Sequence, residues 1–172
     1  LQVEGEKMSK SLGNFITIHE LLETEKFGGR KWRGEVLRLA MLMTHYRQPI
    51  DWTVRSLEIA EKILDRWYRA IGGAEAVETS DWAIELQLGP LGDDLNTPEA
   101  ISKLHAFADI TLAGEEAGAA SRFKRAANLL GLLQFTQGQW QQQLGVVVDE
   151  AKVKPLIAAR LEARKRKDFA ES

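Results

Sequence analysis

The chain has 172 residues, 44% of them hydrophobic, which is enough to bury the core of one ordinary domain or two small ones. Its 23 basic and 25 acidic residues give a formal charge of −2, which excludes the global positive charge that binds nucleic acid indiscriminately. The absence of cysteine excludes disulfides, catalytic thiolates and thiolate zinc sites. Because the three histidines (His19, His45 and His105) are also widely separated, we expect no metal site in this chain.

The first predicted feature is a short loop in the stretch LQVEGEKMSKSLGN. Two lysines and two serines lie within five residues, flanked by glycines (Lys7, Ser9, Lys10 and Ser11, between Gly5 and Gly13). Such side chains can surround a phosphate with charge-assisted donors while the glycines let the backbone bend. A solvated turn with chance lysines explains the same residues, so both interpretations stay open at this point.

Helical patterns follow the loop. Thr17 is predicted to cap a short helix, and an apolar run from Glu35 predicts a mostly buried helix that ends at Pro49. Thr53 is predicted to cap a long amphipathic helix that stops at Gly72, where a second glycine follows.

The second half of the chain continues the helical pattern. Residues 81–89 predict a short helix, and Thr97 is the candidate N-cap of the next one, with proline at its first position. Residues 118–135 repeat the apolar spacing. Residues 136–145 are polar and glutamine-rich, so a linker is expected over residues 136–148, and a last helix from about residue 149 to 167.

The predicted fold class is therefore mainly α, a helical bundle with little or no β structure. We expect a loop and small connecting region first, then the bundle, a linker and the beginning of another domain (residues 1–52, 53–135, 136–148 and 149–172).

Two further groups of residues outside the loop could form a metal, acid–base or ligand site. Asp93 and Asp94 are adjacent carboxylates, but helix-start chemistry explains their surroundings better than a metal or acid–base site does. His45, Tyr46 and Arg47 end an apolar helix, where packing and backbone bonding are favoured over ligand contact.

The pentapeptide KMSKS is the second signature of class I aminoacyl-tRNA synthetases, and KMSKSLGNFITIHELL is similar specifically to cysteinyl-tRNA synthetases. Four further segments resemble that family in the same order along the chain: MLMTHYRQPIDWT, LGDDLNTPEAISKL, LLGLL and ARLEARKRKDFA. The resemblance implies a bundle of the DALR anticodon-binding type, preceded by a region that contacts the tRNA stem.

The resemblance also implies a function for the loop. In that family the loop closes over ATP, with its second lysine on phosphate, while cysteine is activated and then passed to tRNA-Cys. The implied ATP-binding residues are those of the signature, with Lys10 as the phosphate contact (Lys7, Met8, Ser9, Lys10 and Ser11). The loop itself supplies no catalytic nucleophile.

The family's H-x-G-H signature and its zinc ligands are not found in this sequence. The chain starts with Leu1 and stops in KDFAES without a helix-ending signal, so we expect a C-terminal fragment that begins just before the loop and is inactive alone. The resemblance implies that the complete enzyme uses ATP with Mg, holds zinc and binds L-cysteine through the missing N-terminal domain. Since no apolar run approaches the roughly 20 residues that cross a bilayer, we expect a cytoplasmic protein. Separately, we expect the enzyme to be a monomer.

The segment RLEARKRKDF is the best candidate for RNA contact. Three cations lie along one helical side and an aromatic ring offers a stacking face (Arg160, Arg164, Lys167 and Phe169). An ordinary solvated helix end is the alternative. The family reads its anticodon with an arginine, an aromatic and an acidic residue, of which Arg164 and Phe169 match the first two; Arg47 is a secondary candidate near the tRNA stem.

Two other functions stay open. A related ligase of mycothiol synthesis joins cysteine to an amino sugar and carries a similar loop, but it needs no anticodon-reading tail. A helical interaction module without nucleotide chemistry would leave the N-terminal lysines as a tail without a ligand.

Overall fold

The computed structural model describes residues 1–76, 89–114 and 116–143. A small sheet opens the chain, with β1 (Gln2–Val3), β2 (Glu6–Lys7) and β3 (Asp51–Trp52) in the order β2-β1-β3. Strands β1 and β2 are antiparallel, and β3 pairs with β1 in parallel. Both residues of the β1–β2 turn have positive φ, which suits the twist of a two-residue hairpin.

Helices make up the rest of the regular structure in the described residues, so the mainly α prediction is confirmed and the β content is small. They are α1 (Ile18–Glu23), α2 (Gly34–Leu42), α3 (Val54–Ile71), α4 (Thr97–Ala113), α5 (Ala119–Asn128) and α6 (Gln137–Gln142), with a 3₁₀ turn at Gly89–Gly92. Among the described residues, no helix is long and apolar enough to span a membrane.

Two predicted helix starts are confirmed by their capping bonds. Thr17 accepts a hydrogen bond from the Glu20 N–H, and the Glu20 carboxylate accepts one from the Thr17 N–H. Thr53 and Ser56 form the same reciprocal pair at the start of α3. The predicted stop at Gly72 is also confirmed, since that residue has a φ of +54°.

Three helix boundaries differ from the prediction. The cap of α4 is Asn96, whose side-chain oxygen accepts from Glu99 N–H, so Thr97 lies inside the helix. Helix α2 ends at Leu42 rather than Pro49, because its last turn tightens: Thr44 N–H donates to the Met41 carbonyl three residues back instead of continuing the α-helical pattern. Helix α5 stops at Asn128, and the chain turns through Gly131, which has a φ of +69°.

The core lies where α3, α4 and α5 meet. The face of α3 predicted from its apolar spacing is buried throughout (Leu57, Ala60, Leu64, Trp67 and Ile71). The Trp67 ring lies edge-on to Phe123, with ring centroids 5.6 Å apart, and 5.1 Å from the His105 ring. Such aromatic contacts add to the area these side chains bury.

Chain contacts divide the protein into two compact units, Leu1–Gly138 and Gln139–Ser172. The helices predicted at 81–89 and 149–167 lie wholly or almost wholly outside the described residues. Part of the predicted linker is described, and it contains α6. The proposed domain boundaries stay predictions.

Candidate functional site

The signature residues leave the sheet at the end of β2 and form a turn that Asn14 fastens. Its side-chain oxygen accepts a hydrogen bond from Ser9 N–H at 2.8 Å, and its amide donates to the Lys7 carbonyl at 3.1 Å. Met8 N–H donates to the Leu1 carbonyl, so the first half of the turn stays attached to the chain start. The Asn14 side chain therefore makes the two hydrogen bonds that backbone groups of a facing strand would make in a longer hairpin.

Inside the turn, the two serine hydroxyls lie close together. Ser9 Oγ is 3.2 Å from Ser11 Oγ and also accepts from Leu12 N–H. Gly13 N–H donates to the Lys10 carbonyl, and Gly13 adopts a φ of +70° that other residues disfavour. The structure thus brings the hydroxyl groups of the signature together on one compact turn.

The loop lysines carry charge that is open to an anion. Lys7 and Lys10 are exposed, and within the described part of the chain neither forms a salt bridge with a carboxylate. The Lys10 ammonium lies 5.5 Å from the centroid of the Phe15 ring, a cation–π arrangement worth little at an exposed site. A phosphate group can therefore draw Lys10 away from Phe15 without breaking an ion pair.

A cavity of about 280 Å³ adjoins the turn and is lined in part by Asn14, Phe15 and Glu20. Glu20 caps α1 and forms a salt bridge with Lys26, at 2.6 Å. The hydrogen bond from Lys26, with those from Thr17, lowers the pKa of Glu20 to about 2. Lys26 also lines this cavity, so the charge of Glu20 is balanced there and the pair offers a phosphate no net positive charge. The exposed lysine side of the turn is therefore the better place for a phosphate.

The residues His45, Tyr46 and Arg47 meet Asp94 at the surface. Arg47 donates to the Asp94 carboxylate at 2.8 Å and to the Tyr46 oxygen at 3.0 Å, and the Tyr46 hydroxyl donates to the same carboxylate at 2.7 Å. His45 lies 4.0 Å from Asp94 and stacks on Tyr46. The hydrogen bonds from Tyr46 and Arg47 lower the pKa of Asp94.

The contacts of Asp94 explain its role without a metal or acid–base site at the two adjacent aspartates. Asp94 pairs with Arg47, whereas Asn96 rather than either aspartate caps α4. Among residues 1–76, 89–114 and 116–143, no three metal-ligating side chains are grouped so that they could hold a metal ion.

A buried carboxylate was missed by sequence reasoning. Glu35 in α2 accepts hydrogen bonds from the Tyr68 hydroxyl, at 2.6 Å, and from the Leu133 N–H. Burial raises the pKa of Glu35 against the opposing effect of these bonds, and burial with the Glu35 contact raises the pKa of Tyr68. The available signal was a glutamate in the first turn of a helix whose other residues, apart from Arg38, are apolar or glycine.

Four of the five predicted RNA contacts lie outside the described residues: Arg160, Arg164, Lys167 and Phe169. Arg47 is described, and its side chain is 66% exposed although it is paired with Asp94.

The loop lies in a part of the chain that matches a known family model. A family model described as the class I (C) catalytic domain of tRNA synthetases matches residues 1–62. The cysteine–tRNA ligase of Chelativorans sp. strain BNC1 is 51% identical over 174 residues, which cover 100% of this chain and 34% of that protein. The whole chain is similar to the C-terminal third of proteins named cysteine–tRNA ligase.

Other relatives show the same coverage. The cysteine–tRNA ligase of Nitrobacter hamburgensis is 53% identical over 178 residues, covering 100% of this chain and 36% of that protein. That of Xanthobacter autotrophicus is 53% identical over 174 residues, covering 98% and 36%. The chain thus spans about a third of the length of these relatives and matches their C-terminal part.

Proposed function

We propose that this chain supplies the ATP-binding loop and a tRNA-binding helical region to an enzyme that joins cysteine to tRNA-Cys. The observation that carries the proposal is its similarity, end to end and at 51–53% identity, to proteins named cysteine–tRNA ligase. Since the chain spans a third of their length, we expect it to be inactive by itself. The complete enzyme is proposed to be a cytoplasmic monomer that holds zinc and binds L-cysteine outside these residues.

The proposed role of the loop follows from its charges. In the first step the cysteine carboxylate attacks the α-phosphate of ATP, bound with Mg, and pyrophosphate leaves. Lys10, with Lys7 nearby in sequence, offsets the negative charge on the phosphate oxygens, and Ser9 and Ser11 offer hydroxyl donors. In the second step a ribose hydroxyl of the tRNA attacks the cysteinyl carbonyl and AMP leaves. Asn14 supports these roles because it fastens the turn at two backbone groups.

The proposed tRNA contacts differ in their support. Arg164 and Phe169 rest on the family pattern, with Arg160 and Lys167 as neighbouring cations on the same predicted helix. Arg47 has a described environment, in which a tRNA phosphate would compete with the Asp94 carboxylate for its guanidinium. We therefore expect Arg47 to contribute less than the terminal residues.

The ATP role is tested in a longer chain in which the upstream part of the Nitrobacter hamburgensis ligase precedes Leu1. Lys10→Ala should slow cysteine-dependent exchange of pyrophosphate into ATP by roughly 100-fold, the size expected when a charge-stabilising contact is lost. Affinity for tRNA-Cys should change little. Lys62→Ala removes an exposed lysine on α3 as the matched control. Equal exchange rates for the Lys10 and Lys62 variants would reject the assignment.

The RNA role is tested with the 172-residue chain. Unmodified tRNA-Cys should bind more tightly than a stem-only RNA, with a salt dependence that reflects phosphate contacts. Arg164→Ala and Phe169→Ala should each weaken tRNA binding by about tenfold, the scale of one stacked base or charged contact. Binding of an amino sugar would instead favour the mycothiol-type ligase, and indifference to every RNA would favour an interaction module.

A further inference from the structure

Helices α1 and α2 leave an apolar groove of about 400 Å³ between them. Its walls are aliphatic, from Ile18 and Leu22 on α1 and from Leu37, Met41 and Leu42 on α2, and Arg38 adds one charged side chain. We call this feature the α1–α2 groove. The exposed fractions of Ile18 and Met41, 51% and 43%, are large for apolar side chains on neighbouring helices.

The groove exists because α2 is apolar on two sides. Val36 and Leu39 are completely buried on the core side, while Met41 faces the groove. The charged residues of α2 are Glu35 and Arg38, and Glu35 is itself buried. A helix that is apolar around most of its circumference is normally buried on more than one side, so the groove side of α2 calls for a covering element.

The lining favours protein side chains over a small molecule as the occupant. Small-molecule sites combine apolar walls with several convergent polar groups, whereas this groove offers the Arg38 guanidinium among aliphatic side chains. Aliphatic walls of this size suit leucine- or phenylalanine-like side chains from another packed element.

The position of the groove in the sequence indicates which element that is. Every lining residue lies within residues 1–62, the part that matches the class I (C) catalytic domain. The relatives are about three times as long as this chain, and the match covers their C-terminal third. Most of such a catalytic domain therefore lies upstream of the matched region and has to share a core with residues 1–62.

We propose that the α1–α2 groove is the surface on which apolar side chains from the upstream part of the catalytic domain pack. The groove then joins that part directly to the segment following the ATP loop. This inference concerns an interface and does not depend on the roles assigned to the lysines or to the RNA contacts.

The absence of cysteine from the chain provides a clean test. Met41→Cys places a thiol in the groove, and Ile110→Cys places one on α4; both original side chains are 43% exposed, so the pair is matched. Each variant is prepared in the 172-residue chain and in the longer chain that carries the upstream part of the Nitrobacter hamburgensis ligase. Alkylation is followed peptide by peptide with mass spectrometry, and Ile18→Cys repeats the measurement from α1.

In the 172-residue chain the thiols at 41 and 110 should react at rates within about twofold of each other, because both sites are open to solvent. In the longer chain the thiols at 41 and 18 should react at least about tenfold more slowly, with the thiol at 110 unchanged. Unchanged rates at 41 and 18 would overturn the proposal. So would protection in the 172-residue chain that grows with protein concentration, since a second copy would then occupy the groove. Labelling needs neither ATP nor tRNA, so its failure is separate from failure of the proposed function.

Discussion

Glu35 and Asp94 both tie the α2 segment to the helices that follow, but their surroundings differ. Glu35 is 8% exposed and binds Tyr68 and the Leu133 N–H in the interior. The Asp94 side chain is 44% exposed and binds Tyr46 and Arg47 at the surface. Burial raises the pKa of Glu35, whereas hydrogen bonds lower that of Asp94. The number of hydrogen bonds is similar, so we expect the two carboxylates to differ in their contribution to stability because loss of Glu35 leaves buried polar groups unsatisfied, whereas loss of Asp94 leaves groups that water can reach.

The largest expected effect is that of Glu35→Ala. It leaves the Leu133 N–H and the Tyr68 hydroxyl without their acceptor in a buried place and opens a cavity in the interior. We expect the free energy of unfolding of the 172-residue chain to fall by about 3 kcal/mol, measured by urea titration.

Glu35→Gln is the matched control, because its carbonyl oxygen still accepts from Leu133 and its volume is preserved. It should lose less than half as much stability as Glu35→Ala. An unchanged urea midpoint for Glu35→Ala would contradict the view that this junction holds α2 to α3.

The second largest expected effect is the pH dependence of the free energy of unfolding that Glu35 causes. Because burial raises its pKa above the ordinary value of 4.5, the folded state binds a proton that the unfolded state has already released. The contribution of protonated Glu35 to the free energy of unfolding is therefore fully present below pH 4.5. It is lost as the pH rises through the raised pKa of Glu35.

Comparison with Glu35→Gln isolates this contribution from the groups whose pKa is lowered. The stability of the original chain minus that of Glu35→Gln should fall as pH increases from 4.5, as followed by urea titrations across the range. A difference that rises with pH would mean that the carboxylate is stabilised as an anion in the folded protein.

The smallest expected effect is that of Asp94→Asn. This change removes the charge but keeps a side chain that tolerates the φ of +53° at this position. Exposed ion pairs are screened by water and salt, so the urea midpoint should shift little, and any shift should vanish at high salt. If Asp94→Asn cost as much as Glu35→Ala, solvent exposure would not be the deciding variable.

Local chemistry explains which parts of the fold were predictable. Thr17 and Thr53 cap helices through bonds that reach three residues along the chain, and such signals are visible in the sequence. The cap of α4 was assigned one residue late because Asn96 and Thr97 are both suitable capping residues. The end of α2 was placed too late because the apolar pattern continues past Leu42.

Distant pairings were not predictable. Glu35 meets the N–H of a residue 98 positions away, and Arg47 meets an aspartate 47 positions away. No local sequence pattern around Glu35 or Arg47 identifies the distant residue with which it pairs. The lysines and serines of the candidate site were found from the sequence because they are contiguous, and Asn14 could have been added, since an asparagine after glycine often fastens a turn.

The attachment of β1 limits how the lysine-bearing turn can travel. Gly5 N–H binds the Asp51 carboxylate and Val54 N–H binds Glu4, so the hairpin beneath the turn is fixed to the start of α3. A displacement of residues 8–14 relative to this hairpin has to break the bonds that Asn14 makes to Ser9 and Lys7, or the bond from Met8 N–H to the Leu1 carbonyl. In the proposed role of Lys10, the fixed hairpin thus provides a base from which a short segment can reach a phosphate group.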